Sequence, residues 1–116
     1  MTSDEHWKKI FEAEIQQGEK ARQMGNEGMA RVCARRAAGA LVGEYFNRHD
    51  VGPGFDRRPA SAYDRLRDLS EMPGASPQVM RAAKLFLRRV TVEHTLDVEA
   101  DLIAEARWLR QELLGE

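Results

Sequence analysis

The stretch Ala30-Arg31-Val32-Cys33-Ala34-Arg35-Arg36-Ala37-Ala38-Gly39-Ala40-Leu41-Val42-Gly43-Glu44-Tyr45 decides the fold. Its apolar residues recur at helical spacing, so Ala30, Ala34, Ala37, Ala38, Leu41 and Tyr45 form a small-residue stripe with large groups at one end only. Val32, Gly39 and Gly43 lie on another side. Each glycine inside a helix costs about 1 kcal/mol relative to alanine. Two glycines four apart therefore imply a close neighbour. That neighbour is either a helix of the same chain or a second copy at a homodimer seam, and the first reading is favoured because a central helix packs on both sides.

Outward from this segment the punctuation defines five helices. Asn26 caps the long one, which runs to about His49, and Gly52-Pro53-Gly54 forbids its continuation. Upstream, Thr2-Ser3-Asp4-Glu5 offers a capping box to a first helix that carries Trp7, Ile10, Phe11, Glu14 and Ile15 and ends at Gly25. Ser61 opens a short third helix with Tyr63, Leu66 and Leu69, closed by Pro73-Gly74. Ser76 with Pro77 at the first helical position opens a fourth, expected to reach about Val92 with Val79, Met80, Ala83, Phe86, Leu87 and Val90 on one arc. Asp97, followed by Glu99 and Asp101, opens a fifth in which Leu102, Ala106, Leu109 and Leu113 share a face. No β-branched alternation competes with helix. The expected architecture is an all-α up-and-down bundle of four to five helices in a single domain over residues 1–116.

With 42% hydrophobic and 32% charged residues, the chain has the composition of a globular domain. No apolar run is long enough to span a bilayer and the start does not read as a signal peptide, so the expected compartment is the cytoplasm, without membrane association. The lone Cys33 excludes an internal disulfide and reads as a small buried thiol. Three scattered histidines lacking a carboxylate at i+4 give no metal site, and no phosphate loop or other cofactor motif is present.

A net charge of −1 argues against a dedicated DNA-binding protein, but the distribution is uneven: residues 22–67 hold nine arginines against five acids. Arg81, Lys84 and Arg88 form a row along the fourth helix, and Arg35-Arg36 interrupts the small apolar helix. Both groups are candidate anion-binding sites, because a guanidinium fork binds two phosphate or carboxylate oxygens at once. The row of three would support weak, salt-sensitive binding of single-stranded RNA. Glu27 is placed to pair with Arg31 one turn on.

Near the expected end of the fourth helix, Arg89 and His94 combine a phosphate-holding cation with a group that titrates near neutral pH. Together with the Trp7 helix, the Ala-rich Ala30 to Tyr45 segment, a shorter third helix and a final helix from Leu102 to Leu113, this Arg-x4-His element makes the chain resemble the HEPN family of small helical bundles. The resemblance implies a homodimer. In active members the arginine would contact the scissile phosphate of RNA and the histidine would move the 2′-hydroxyl proton, giving Arg89 and His94 as catalytic residues of a metal-independent endoribonuclease. Active members follow the arginine with a polar residue and carry a tyrosine two places after the histidine; here Val90 and Leu96 stand there. The favoured expectation is therefore a self-associating binding or accessory subunit without catalysis, of the kind that partners a nucleotidyltransferase or another protein.

Overall fold

The computed structural model describes residues 6–49, 61–88 and 100–116. Among these residues there are five helices and no strand: α1 (His6–Gln23), α2 (Glu27–His49), α3 (Ala62–Ser70), α4 (Pro77–Leu87) and α5 (Leu102–Leu114). The chain is an all-α bundle. The Thr2–Glu5 box, the Gly52-Pro53-Gly54 stop, Asp97 and Glu99 lie outside the described residues. None of the described helices is long and apolar enough to cross a membrane.

Local chemistry sets most helix starts. Asn26 accepts the Met29 N–H through its side-chain oxygen at 3.1 Å. Gly25, at φ 82°, makes the turn from α1 into α2. Ser61 and Asp64 form a capping box in which each side chain accepts from the other residue's backbone N–H. At α4, the Ser76 side chain accepts from the Val79 N–H and Pro77 occupies the first turn, where its missing N–H is not needed.

Two boundaries differ from the sequence expectation. The fifth helix begins at Leu102, with Asp101 rather than Asp97 as its cap. The Asp101 carboxylate accepts from the Ala104 N–H at 3.2 Å and from Arg22 of α1 at 3.1 Å, so a contact 79 residues distant accompanies the local cap. The fourth helix ends at Leu87 instead of continuing to Val92, and Arg88 already has extended backbone angles. In a longer helix the Phe86 carbonyl would accept from residue 90. Here it accepts from Arg35 Nε, at 2.8 Å. The guanidinium satisfies one of the terminal carbonyls and places positive charge at the negative end of the helix dipole.

Helix α2 is the hub. It packs against α1, α3 and α5, while α3 packs on α4 and α4 on α5. Its buried residues include Ala30, Cys33, Ala34, Ala37, Ala38, Gly39, Leu41, Val42 and Phe46. Side chains from all five helices meet in one core. On α1 the inward stripe runs Trp7, Phe11, Ile15 and Gly18, leaving Ile10 at its margin and 37% exposed.

The glycines of α2 are covered within the chain. A Cβ on Gly39 would lie 2.5 Å from the Ala62 Cβ and 2.8 Å from its Cα, so the start of α3 rests directly on the α2 backbone. One turn along, Gly43 makes room for the Arg65 guanidinium, whose Nη1 donates to the Gly39 carbonyl at 3.1 Å. The same-chain reading of the glycine pair holds.

These two contacts differ in how they can yield. Gly39→Ala must push α3 away and should destabilise the fold by about 1–3 kcal/mol in urea unfolding, despite the gain in helix propensity. Gly43→Ala meets a side-chain end, the Arg65 guanidinium, which can shift by giving up its bond to the Gly39 carbonyl, and should cost less than displacing a helix. Equal stabilities for Gly39→Ala and the parent would contradict the packing of α3 on α2.

Candidate functional site

Of the residues singled out by the sequence, the structure describes Arg35, Arg36, Arg81, Lys84 and Arg88. Arg89 and His94 lie outside the described residues. Arg81 and Lys84 point to solvent from α4, but Arg88 follows the helix end in extended conformation, so the helical row holds two cations instead of three. Arg35 is engaged by the Phe86 carbonyl, which explains an arginine in a small apolar helix, while neighbouring Arg36 is exposed. Glu27 receives both Nε and Nη2 of Arg22, at 3.1 and 2.9 Å. Cys33 is fully buried, and burial, then the nearby Glu14 carboxyl, push its thiol pKa up, which removes nucleophilic character at neutral pH. Among the described residues no group of three His, Cys, Asp or Glu side chains could hold a metal ion.

A different constellation lies between α1 and α5. Both helices dock on α2, yet they touch each other only lightly, leaving a groove of about 540 Å³. Phe11 and Ile15 lie at its floor, 3% and 5% exposed. Glu12, Gln16 and Glu19, spaced along one edge of α1, face Arg107, Arg110 and Gln111 of α5. The walls are paired across the gap: Arg107 Nη2 lies 2.7 Å from Glu19 Oε2, and Arg110 Nη1 lies 3.7 Å from Glu12 Oε2. The second distance is an ion pair without a hydrogen bond.

Next to Phe11 sits Trp7, which is 5% exposed and meets that ring edge to face. Three cations from three helices surround its ring: Lys8 of α1 at 5.9 Å, Arg48 of α2 at 6.0 Å and Arg110 of α5 at 5.3 Å from the centroid. Arg110 also sits 5.0 Å from the Phe11 ring. Its Nε is buried without a hydrogen-bond acceptor, so the aromatic faces hold this guanidinium more than any acceptor does. Above Trp7 the Glu116 side chain bridges two of the cations, 3.0 Å from Lys8 Nζ and 3.1 Å from Arg48 Nη2. Arg48 Nε meanwhile binds Glu44 at 2.9 Å. Lys8 first, and Arg48 next, hold the Glu116 carboxyl below its usual pKa.

No sequence motif announces this arrangement. Lys8, Arg48, Arg110 and Glu116 belong to separate segments, and only the fold assembles them. The usable signal was Trp7, a large amphipathic side chain among charged neighbours near the start of α1.

Two measurements check this geometry. Arg35→Ala leaves a terminal carbonyl of α4 without its charged donor and should destabilise the protein by about 1–3 kcal/mol in chemical denaturation, with Arg35→Lys restoring part of the loss. For Asp101, burial opposes ionisation, but the Ala104 N–H and then Arg22 outweigh it and lower the pKa. The folded pKa values of Asp101 and Glu116 are both depressed, so their contributions are complete above the ordinary carboxyl range and are lost as pH falls through the lowered folded values. Acid titration of the double variant Asp101→Asn/Glu116→Gln should show a flatter stability profile in that window. A profile identical to the parent's would show that neither pairing contributes.

No protein-family model matches the chain, and neither a curated protein nor a solved structure shows significant similarity to it.

Proposed function

We propose that this protein is a helical binding or accessory module that captures a partner in the groove between α1 and α5 and self-associates. The observation that carries the reading is the groove itself. Its charged walls are ion-paired across the gap above the nearly buried Phe11 and Ile15, and its volume falls within the range of sites for small ligands. The core does not need this polar channel: α1 and α5 are both already anchored on α2. Arg35 and Arg65, by contrast, are tied to backbone carbonyls and serve the fold.

Self-association rests on the resemblance to the HEPN family in helix order and in the Arg89…His94 element. The α2 glycines do not support it, since α3 covers them. Sedimentation velocity across a range from about 10 to 500 µM should show a concentration-dependent shift toward dimer, dissociation constants in that range corresponding to association free energies of about −7 to −4.5 kcal/mol. A species that stays monomeric throughout would remove self-association. Incubation with mixed RNA in EDTA provides the second check, with no cleavage expected. Cleavage that His94→Ala abolishes would replace the binding reading with that of a metal-independent endoribonuclease.

A further inference from the structure

We infer that the second half of α5, from Arg110 on, is a strap held closed over Trp7 and Phe11 by charge, and that ionic strength sets how often it opens. The inference rests on the reading of the α1–α5 groove as a binding site and adds how access to it is regulated. The two halves of α5 are held differently. Its buried residues, Leu102, Ile103, Ala106 and Leu109, all precede Arg110. In that first part α5 runs close to α1: a Cβ on Gly18 would lie 3.4 Å from Ile103 Cδ1, and Asp101 binds Arg22 at 3.1 Å. From Arg110 on, no residue is buried, and Leu113 and Leu114 reach the core only in part. Charge holds this part instead. Arg110 lies 3.7 Å from Glu12 and over the rings of Trp7 and Phe11, and Glu116 spans Lys8 and Arg48 at 3.0 and 3.1 Å. Along the whole seam the pairs keep one antiparallel register: Arg22 with Asp101, Glu19 with Arg107, Glu12 with Arg110 and Lys8 with Glu116.

The closed arrangement carries a penalty of its own. Trp7 Nε1 and Arg110 Nε are both buried without a hydrogen-bond acceptor, and both belong to the cluster under the strap. A buried donor left unpaired opposes the state that buries it. Once the strap lifts, both donors meet water. Against that penalty stand ion pairs whose partners are partly exposed, so each is weak and is screened by salt. Two small opposing effects leave the strap near balance, where a change in screening moves the population. The first half of α5 stays docked throughout, because apolar burial at Ile103, Ala106 and Leu109 does not depend on salt in this way. Opening therefore pivots where Gly18 and Ile103 approach, and it uncovers the indole and phenyl rings beside the groove.

The test is quenching of Trp7 fluorescence by acrylamide, a neutral quencher, at a protein concentration below the sedimentation range. Trp108→Phe changes the other tryptophan, which is 37% exposed, and leaves Trp7 as the sole reporter. Sodium chloride is raised from about 0.01 M to about 1 M, which shortens the screening length from about 30 Å to about 3 Å. The quenching constant should rise at least about threefold, with the far-UV circular dichroism unchanged. In the same background, Glu12→Gln/Glu116→Gln should show at low salt the accessibility that the parent reaches at high salt, with little further response. A quenching constant that stays flat across the salt range would overturn the strap. So would a rise accompanied by loss of ellipticity, since the whole bundle would then be loosening, or a neutralised variant that keeps the parent's low-salt protection. The readout needs neither a partner nor a second copy. A strap closed at every salt concentration would thus leave the groove reading and the sedimentation result standing.

Discussion

The close passage of α3 over the backbone of α2 at Gly39 is the constraint on which the other placements rest. With no side chain at Gly39, Ala62 can lie against the α2 backbone and Arg65 can reach the Gly39 carbonyl. That fixes α3, which carries α4, and α4 is tied back to α2 by the Arg35 bond to Phe86. On its other side α2 receives α1 and α5, and α1 comes close as well, since a Cβ on Gly18 would lie 3.1 Å from the Cys33 Cβ. The two outer helices touch each other only lightly and leave the groove between them.

What could be read in the sequence was local. Asn26, Ser61 and Ser76 each cap the helix expected of them, because a cap is decided by the side chain and the N–H groups two or three residues on. The glycine pair could be read as a contact, though not as a contact with a particular helix. The misplaced boundaries were set from a distance. Asp97 and Asp101 are equally good caps in sequence, and Arg22, on another helix, reaches the second. The end of α4 coincides with an arginine 51 residues upstream that takes up its carbonyl.

The candidate site was less legible than the fold for the same reason. A cation beside a helix end, or a glutamate four residues from an arginine, has an obvious local meaning, and Arg81, Lys84, Arg88 and Glu27 carry such meanings in the sequence. The fold gives Glu27 to Arg22 and moves Arg88 off its helix. It gathers Lys8, Arg48 and Arg110 around one indole instead. Electrostatic sites built from several helices have no period to detect. They follow from the packing, and in this bundle the packing follows from α2.

The alanines of α2 have a consequence for mutational tolerance. Alanine has no rotamers to freeze, so ordering this helix in the core sacrifices almost no side-chain entropy. It also brings little apolar area per residue, and what stabilises the centre is the nearness of backbones rather than interlocking bulk. A core of leucines can absorb a changed methyl group by shifting a neighbour's rotamer. Ala30, Ala34, Ala37 and Ala38, all fully buried, offer no such slack. Each enlargement there must move a whole helix. The middle of α2 should therefore tolerate very few substitutions, while the exposed positions Gln16 and Gln111 along the groove, which sit outside that contact, remain free to vary.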